Sequence, residues 1–334
     1  MQAEPTVATA LAHLAVAELR QQGSDVKRIL AEAGLERRVV NNGDARIAFV
    51  RQAKLLEIAA RESGDGCFGL HLGATVSVKD FGALGYMGIA SRTLGDALLN
   101  FERYLHVLTE AMTIEVSVIG DEARIFFNPV RPAFAEFAQN MEASCAVMIT
   151  AYRQLANMRL SPKRMDFVHG RPKNLKEVKA VFGGPVRFDQ PRICMVLERK
   201  SLALPIASTD QRLLKILTKH CDELLAQRAR HKPELLQTVE RRIVELMSSG
   251  RAKAKIIAED LGMSERTFIR RLEGHNTSFF KIVDQLRHKL ALRYVESSDI
   301  SLTETAFLLG YATPSAFSSA FKRWTGHAPS ELRT

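Results

Sequence analysis

Apolar positions recur three and four residues apart, the spacing of an amphipathic helix, through most of this chain. They give way to alternation in one central region. Helices are expected over Val7 to Gln22 and Asp25 to Ala33, the second with Ser24 as its cap and Gly34 as its stop. Arg46 to Arg61 reads as a third, with Ala48, Leu55, Ile58 and Ala59 in its apolar stripe. Thr93 opens a helix reaching about Thr109. Met112 to Ile119 and Ala123 to Asn128 then alternate around Gly120-Asp121, which predicts a β-hairpin. A long helix over Phe134 to Asn157 follows. Strands are expected at Arg164 to Val168, Val186 to Asp189 and Arg192 to Leu197, with a helix from Leu175 to Phe182 between them. The predicted class for residues 1–205 is α+β, because strands and helices do not alternate as a parallel nucleotide-binding sheet requires.

Within that region, Phe81-Gly82-Ala83-Leu84-Gly85-Tyr86-Met87-Gly88 places glycines three apart. A phosphate-cradling loop needs a preceding strand and G-x-G-x-x-G spacing, so close backbone packing is the better explanation. Thr209 to Arg230 predicts a connecting helix within 206–232. Leu214, Leu217, Cys221 and Leu224 form a short heptad seam on it. Two heptads leave two partners open for the seam, the preceding domain or a second copy of the chain. Lys232-Pro233 then breaks the helix, since proline disfavours helix at the residue before it.

Residues 233–334 read as all-α and carry one pattern twice. Ala258, Leu261 and Gly262 match Ala306, Leu309 and Gly310 at an offset of 48; Ser264, Phe268 and Leu272 match Thr313, Phe317 and Phe321 at an offset of 49. In each copy a short helix ends at Leu-Gly, where glycine takes a left-handed conformation without a Cβ penalty. Ser264 or Thr313 then caps a second helix, and Pro314 occupies a first helical position where its missing N–H costs nothing. The two helix-turn-helix motifs are expected at about 253–274 and 301–324. In the first, Phe268 and Leu272 should be buried, and the opposite face carries Arg266, Ile269 and Arg270. Long donors on a capped helix suit the major groove, where they reach guanine O6 and N7. Asp284 to Ser297 predicts one helix between the motifs, with Leu286, Leu290 and Tyr294 on one face. It would hold the two recognition helices about one DNA turn (~34 Å) apart.

These residues resemble the AraC/XylS family of bacterial transcription regulators. The resemblance rests on Ala291 to Val295, Ile300-Ser301 to Gly310-Tyr311, and Ala320-Phe321-Lys322-Arg323-Trp324-Thr325-Gly326 followed by Pro329-Ser330. It implies two helix-turn-helix subdomains joined by a long helix and bound to promoter DNA. Carried over by position, base reading falls on Arg266, Ile269 and Arg270 in the first subdomain and on Pro314, Ser315 and Ser319 in the second. Ser264, Arg271, Thr313, Lys322 and Arg323 would contact the DNA backbone. This chain departs from the family at Ser319, where arginine is common. Serine reads bases ambiguously, so the first recognition helix is expected to supply most of the discrimination.

Phe81 to Tyr86 and Ser91-Arg92-Thr93-Leu94-Gly95-Asp96-Ala97-Leu98 resemble the arabinose-binding-type N-terminal domain of one AraC branch, over about 20 to 205. The label is not evidence for arabinose. No cupin-like metal cluster is visible, so no metal or cofactor is expected. The resemblance implies a sensor for an unidentified small-molecule effector that also forms a homodimer.

The net charge of +10 suits a polyanionic partner but is not concentrated on the DNA-binding segment. Residues 159–200 carry 11 Lys+Arg against 4 Asp+Glu, whereas 233–334 carry 15 against 12. Affinity there must come from arrangement more than from excess charge. Glu4 and Glu18 interrupt any secretory signal, and the longest uncharged stretch, 305–321, holds Gly310 and Pro314. A cytoplasmic protein without a membrane span is expected. Cys67, Cys145, Cys194 and Cys221 are scattered, which predicts reduced structural thiols. None sits in the Pro-Cys-His-type context of an alkyltransferase, so no enzyme is expected. The paired recognition helices argue against a non-specific architectural DNA protein. The expected function is a transcriptional regulator, as an activator working with RNA polymerase, that responds to an effector.

Overall fold

The computed structural model describes residues 4–43, 45–170, 174–229, 234–275, 277–297, 300–325 and 328–332. The chain divides into two compact units, with the boundary between Leu225 and Ala226. In chain order the N-terminal unit runs β1 (Thr6–Ala8), α1 (Ala10–Gln21), α2 (Val26–Glu32), α3 (Arg37–Val40), β2 (Arg46–Ala48), α4 (Phe49–Ser63), α5 (Phe68–Thr75), α6 (Gly82–Ala90) and α7 (Leu94–Tyr104). It continues with β3 (Met112–Ile119), β4 (Glu122–Pro129), α8 (Ala138–Ala156), β5 (Arg164–Asp166), α9 (Leu175–Phe182), β6 (Val186–Arg187), β7 (Ile193–Glu198) and most of α10 (Gln211–Ala229).

The expected hairpin forms, with Met112 opposite Pro129 and Ile119 opposite Glu122. It is the edge of a five-stranded sheet ordered β3-β4-β7-β5-β6, antiparallel except for β5 beside β6. Against this sheet lies α8, a helix of 19 residues of which 13 are buried. A helix enclosed on nearly all sides cannot be amphipathic, and α8 is the centre of the core. Gly69 and Gly73 let α5 lie against it: a Cβ on Gly69 would stand 2.1 Å from the Gln139 carbonyl oxygen, and one on Gly73 2.5 Å from that of Ala143. Close packing also explains Gly85, where a Cβ would meet the Val78 carbonyl oxygen at 1.9 Å.

Several elements differ from the sequence expectation. Val7 and Arg46 to Ala48 are not helical, because β1 and β2 pair with each other antiparallel across some forty residues of chain. Short apolar runs suit helix and strand alike, so the distant partner decides. Asp25, not Ser24, caps α2 by accepting the Arg28 N–H at 3.1 Å. The helix opened by Thr93 ends at Tyr104 and continues as a short 3-10 turn to Val107, while a 3-10 turn over Pro132–Glu136 precedes α8. Three helices, α3, α5 and α6, were not expected. The seam of α10 lies on its own unit. Cys221 is fully buried in the N-terminal core, Leu214, Leu217 and Leu224 pack against it, and Tyr104 donates to Asp222 at 3.0 Å. The Lys232-Pro233 break lies outside the described residues.

One carboxyl in this unit is unusual. Glu102 on α7 accepts the Val116 N–H of β3 at 3.2 Å, and burial pushes its pKa up to about 8. Its folded pKa is raised, so the neutral acid is the form the fold favours. That stabilisation is complete below the ordinary value of 4.5 and is lost as pH rises through about 8. Between these values one proton contributes a slope of up to about 1.4 kcal/mol per pH unit. Glu102→Gln should flatten this dependence, which urea unfolding followed by circular dichroism from pH 5 to 8 will measure. Parallel slopes in the two proteins would show that Glu102 ionises freely.

The four thiols are all buried, and burial raises the pKa of three of them, Cys67 to about 12, Cys194 to about 11 and Cys145 well above its ordinary value. These three are protonated and poorly nucleophilic at neutral pH. No helix of the described residues is long and apolar enough to cross a membrane.

Candidate nucleic-acid interface

The C-terminal unit contains α11 (Glu234–Met247), α12 (Ala254–Asp260), α13 (Glu265–Gly274), α14 (Phe279–Ser297), α15 (Leu302–Leu308), α16 (Pro314–Thr325) and α17 (Pro329–Leu332). One continuous core runs through both repeats, joining Val239, Ile257, Phe268, Val283, Phe317 and Trp324 among others.

Each repeat is terminated and restarted by the same bonds. At the end of α12 the Met263 N–H donates to the Ala258 carbonyl at 3.0 Å and the Gly262 N–H to that of Glu259 at 2.9 Å. At the end of α15, Tyr311 donates to Ala306 and Gly310 to Phe307, both at 2.9 Å. This is the paired 6→1 and 5→2 pattern of a Schellman stop, with Gly262 at φ +67° and Gly310 at φ +71°. The chain then turns into the second helix. Ser264 accepts the Thr267 N–H at 3.2 Å, and Thr313 accepts the Ala316 N–H at 3.2 Å. Glu304 adds a reciprocal bond to the Ser301 N–H (2.7 Å) at the start of α15.

These stops and caps aim α13 so that Phe268 and Leu272 are fully buried. On the other side Arg266, Ile269 and Arg270 are exposed, Ile269 by 40%. An apolar side chain beside two guanidinium groups is a combination that base edges can use, since thymine offers a methyl group and guanine two acceptors. On α16, Phe317 and Phe321 are buried while Pro314, Ser315, Ser319 and Lys322 are exposed. Ser315, Ser319 and Lys322 share one stripe, at spacings of four and three.

The residues expected at the DNA backbone fare differently from one another. Arg271 and Lys322 are exposed. Arg323 is held by Asp284 of α14 at 2.6 Å, so it must leave an ion pair to reach a phosphate. The Ser264 hydroxyl donates to Thr267 Oγ1 at 2.9 Å, so its proton is engaged within the turn. The Thr313 hydroxyl accepts the Ala316 N–H, which leaves its lone proton for an outside acceptor.

Three positioning residues were missed by the sequence reading. Arg287 donates from Nε to the Leu309 carbonyl (2.8 Å) and from Nη2 to that of Gly310 (3.0 Å), and its guanidinium lies 4.6 Å over the Tyr311 ring. It thereby fixes α14 to the second turn. Asp284 also accepts the Trp324 indole N–H at 3.1 Å, and His288 stacks on that indole at 5.3 Å. Burial lowers the His288 pKa, so the stacked ring is neutral at pH 7. The spacing of Asp284 and His288, one helical turn apart, was the signal available. The helix itself is longer than expected. It starts at Phe279 and its 19 residues span roughly 28 Å at 1.5 Å per residue.

In the N-terminal unit, Asp65, His71 and Glu177 bring ligand-type atoms within 4.8 Å of one another. Both ring nitrogens of His71 already face carboxylates, at 2.8 and 3.2 Å, which ties the loop before α5 to α9. This accounts for the cluster as a histidine bridging two carboxylates.

Known proteins resemble this chain in both of its halves. The family model described as the arabinose-binding domain of AraC transcription regulator, N-term, matches residues 23–206, more than half of the chain. A helix-turn-helix domain model matches 257–334. The ornithine utilization regulator of Pseudomonas aeruginosa is 28% identical over 316 residues, covering 94% of this chain and 90% of that protein. The HTH-type transcriptional regulator VirS of Mycobacterium tuberculosis is 25% identical over 317 residues, covering 94% and 92%. The crystal structure of the transcriptional regulator CdpR from Pseudomonas aeruginosa aligns with a TM-score of 0.43 at 20% identity, over 92% of this chain and 96% of that one. With both halves matched in order, this chain belongs to the AraC transcription regulators and is a DNA-binding regulator with an arabinose-binding-like N-terminal domain.

Proposed function

We propose that the chain activates transcription at specific promoters in response to a small-molecule effector held by the N-terminal unit. The observation that carries the DNA half is the exposed Arg266-Ile269-Arg270 face of α13, on a helix anchored by Phe268 and Leu272. Arg266, Ile269 and Arg270 read base edges. Pro314, Ser315 and Ser319 contribute a weaker second contact. Arg271, Lys322 and Thr313 hold the backbone, joined by Arg323 once it releases Asp284 and by Ser264 through the α13 N-terminus. Effector binding changes how the C-terminal unit occupies DNA or meets RNA polymerase. The protein works in the cytoplasm as a homodimer. Pairing uses a surface other than the Leu214–Leu224 seam, which its own core occupies.

The test is selection of DNA from a random pool by the full chain at fixed salt, with and without a metabolite panel. The panel includes ornithine because one relative is an ornithine utilization regulator. The expected result is a defined site with two contacts about one helical turn apart, whose footprint changes with one compound. In-vitro transcription from that site then distinguishes activation from repression. Salt-dominated binding without sequence preference would overturn the reading.

A further inference from the structure

The N-terminal unit has a cavity of about 110 Å³, open on one side, between β3, β4, α8 and the start of α1. Met112, Ile114, Phe127, Phe101, Met148 and Ala151 are among its apolar lining residues, and none of the lining residues carries a charge. Its polar groups are Gln52, Asn140, Ser144 and Thr109. Two of these are already engaged: Ser144 donates to the Asn140 carbonyl at 2.8 Å, and Thr109 Oγ1 accepts the Ala111 N–H at 3.1 Å. Gln52 is 5% exposed and donates from Nε2 to Asn140 Oδ1 at 3.2 Å. Its Oε1 is buried without a hydrogen-bond partner.

An acceptor left unpaired in an interior is a cost the fold carries unless something else satisfies it. A cavity of roughly 150 Å³ is known to admit benzene, so this one has the scale of a single ring or a short chain. A charged ligand would enter with no counter-ion and lose its hydration. The partly exposed Ala8, Ala10, Phe81 and Leu108 mark the side from which a ligand reaches it.

We infer that this cavity is the effector site and that its ligand is a small, uncharged, mainly apolar molecule whose one polar group donates a hydrogen bond to Gln52. The inference rests on the effector reading above and narrows it, because it excludes free ornithine and other zwitterions as occupants of this site. A hydroxyl both donates and accepts, so it matches the carboxamide in either orientation.

The full chain should be titrated with benzene, phenol, benzoate and L-ornithine, by calorimetry and ligand-observed NMR. Phenol is expected to bind about tenfold more tightly than benzene, and benzoate and ornithine at least thirtyfold more weakly than phenol. Gln52→Leu should weaken phenol about tenfold and leave benzene unchanged. Ser144→Leu, at a half-buried wall position, should weaken both by occupying the space. Failure of the neutral probes to saturate, indifference of their binding to both variants, or tight benzoate or ornithine binding lost in Ser144→Leu would each overturn the inference. DNA occupancy measured in the same samples separates the two readings. Phenol filling the cavity with the expected variant effects, while no metabolite alters DNA binding, would keep the ligand class and remove the effector response. A metabolite that alters DNA binding equally in wild type and Ser144→Leu would do the reverse.

Discussion

Gly310→Ala is expected to destabilise the C-terminal unit by about 3 kcal/mol or more, whereas Gly262→Ala should cost only about 1–2 kcal/mol. Both glycines hold the same place in the same stop, at φ +71° and +67°, so both substitutions incur the left-handed penalty. Their surroundings differ. A Cβ on Gly262 would meet nothing within 4 Å. One on Gly310 would stand 2.3 Å from the Met247 carbonyl oxygen and 3.3 Å from Arg287 Nη2. The backbone of α11 cannot yield as a side-chain end can, and Arg287 is itself bonded to the Leu309 and Gly310 carbonyls. Trp324 is the chain's one tryptophan and is buried in this unit, so its fluorescence reports the C-terminal transition by itself. For a domain of about a hundred residues the difference between the variants amounts to several degrees in Tm. Equal shifts would mean that α11 moves aside and that the two turns are interchangeable.

Arg266→Ala and Arg270→Ala are each expected to weaken binding to the selected site by about 1–3 kcal/mol, roughly 5- to 150-fold, and to relax preference at the base they read. Ser319→Ala should change affinity much less, because a short hydroxyl on α16 replaces the long fork available on α13. Lysine at 266 or 270 separates charge from geometry, since it keeps the cation and loses the bidentate fork. Selectivity should therefore fall in Arg→Lys while the salt dependence stays near wild type. All these side chains are exposed, so Trp324 unfolding should be unaltered in each variant. An unchanged footprint for the double alanine variant would remove base reading from α13.

The two helix-turn-helix motifs of the C-terminal unit were legible in the chain because their determinants are local. A Leu-Gly stop and a Ser or Thr cap act within about six residues, and Phe268 with Leu272, like Phe317 with Phe321, reports the buried face from spacing alone. The Gly120-Asp121 hairpin and the helix from Leu175 to Phe182 were legible for the same reason. What escaped has partners far away in sequence. Val7 became strand because Ile47 lies beside it. The helix α5 depends on Gly69 and Gly73 meeting the α8 backbone, and these glycines, four apart, were the sign available. Tyr86, Tyr104, His106, Tyr152 and Arg153 are polar or amphipathic residues in largely apolar stretches, and none lines the cavity. Arg153 instead bonds the Leu160, Val181 and Phe182 carbonyls. Gln52, in an ordinary helical pattern, carries the unpaired acceptor.

By itself, then, the sequence determined that two capped helix-turn-helix motifs follow an α+β domain, and which face of α13 stays bare. Those outcomes follow from side-chain periodicity and caps that need no distant partner. The tertiary structure decided three other things. It laid the Leu214–Leu224 seam on the N-terminal core, it made Gly310 less replaceable than Gly262, and it joined residues from Val7 to Ala151 around one uncharged cavity. Each depends on which surfaces meet when the chain closes, and packing between elements remote in sequence leaves no period or motif along the chain.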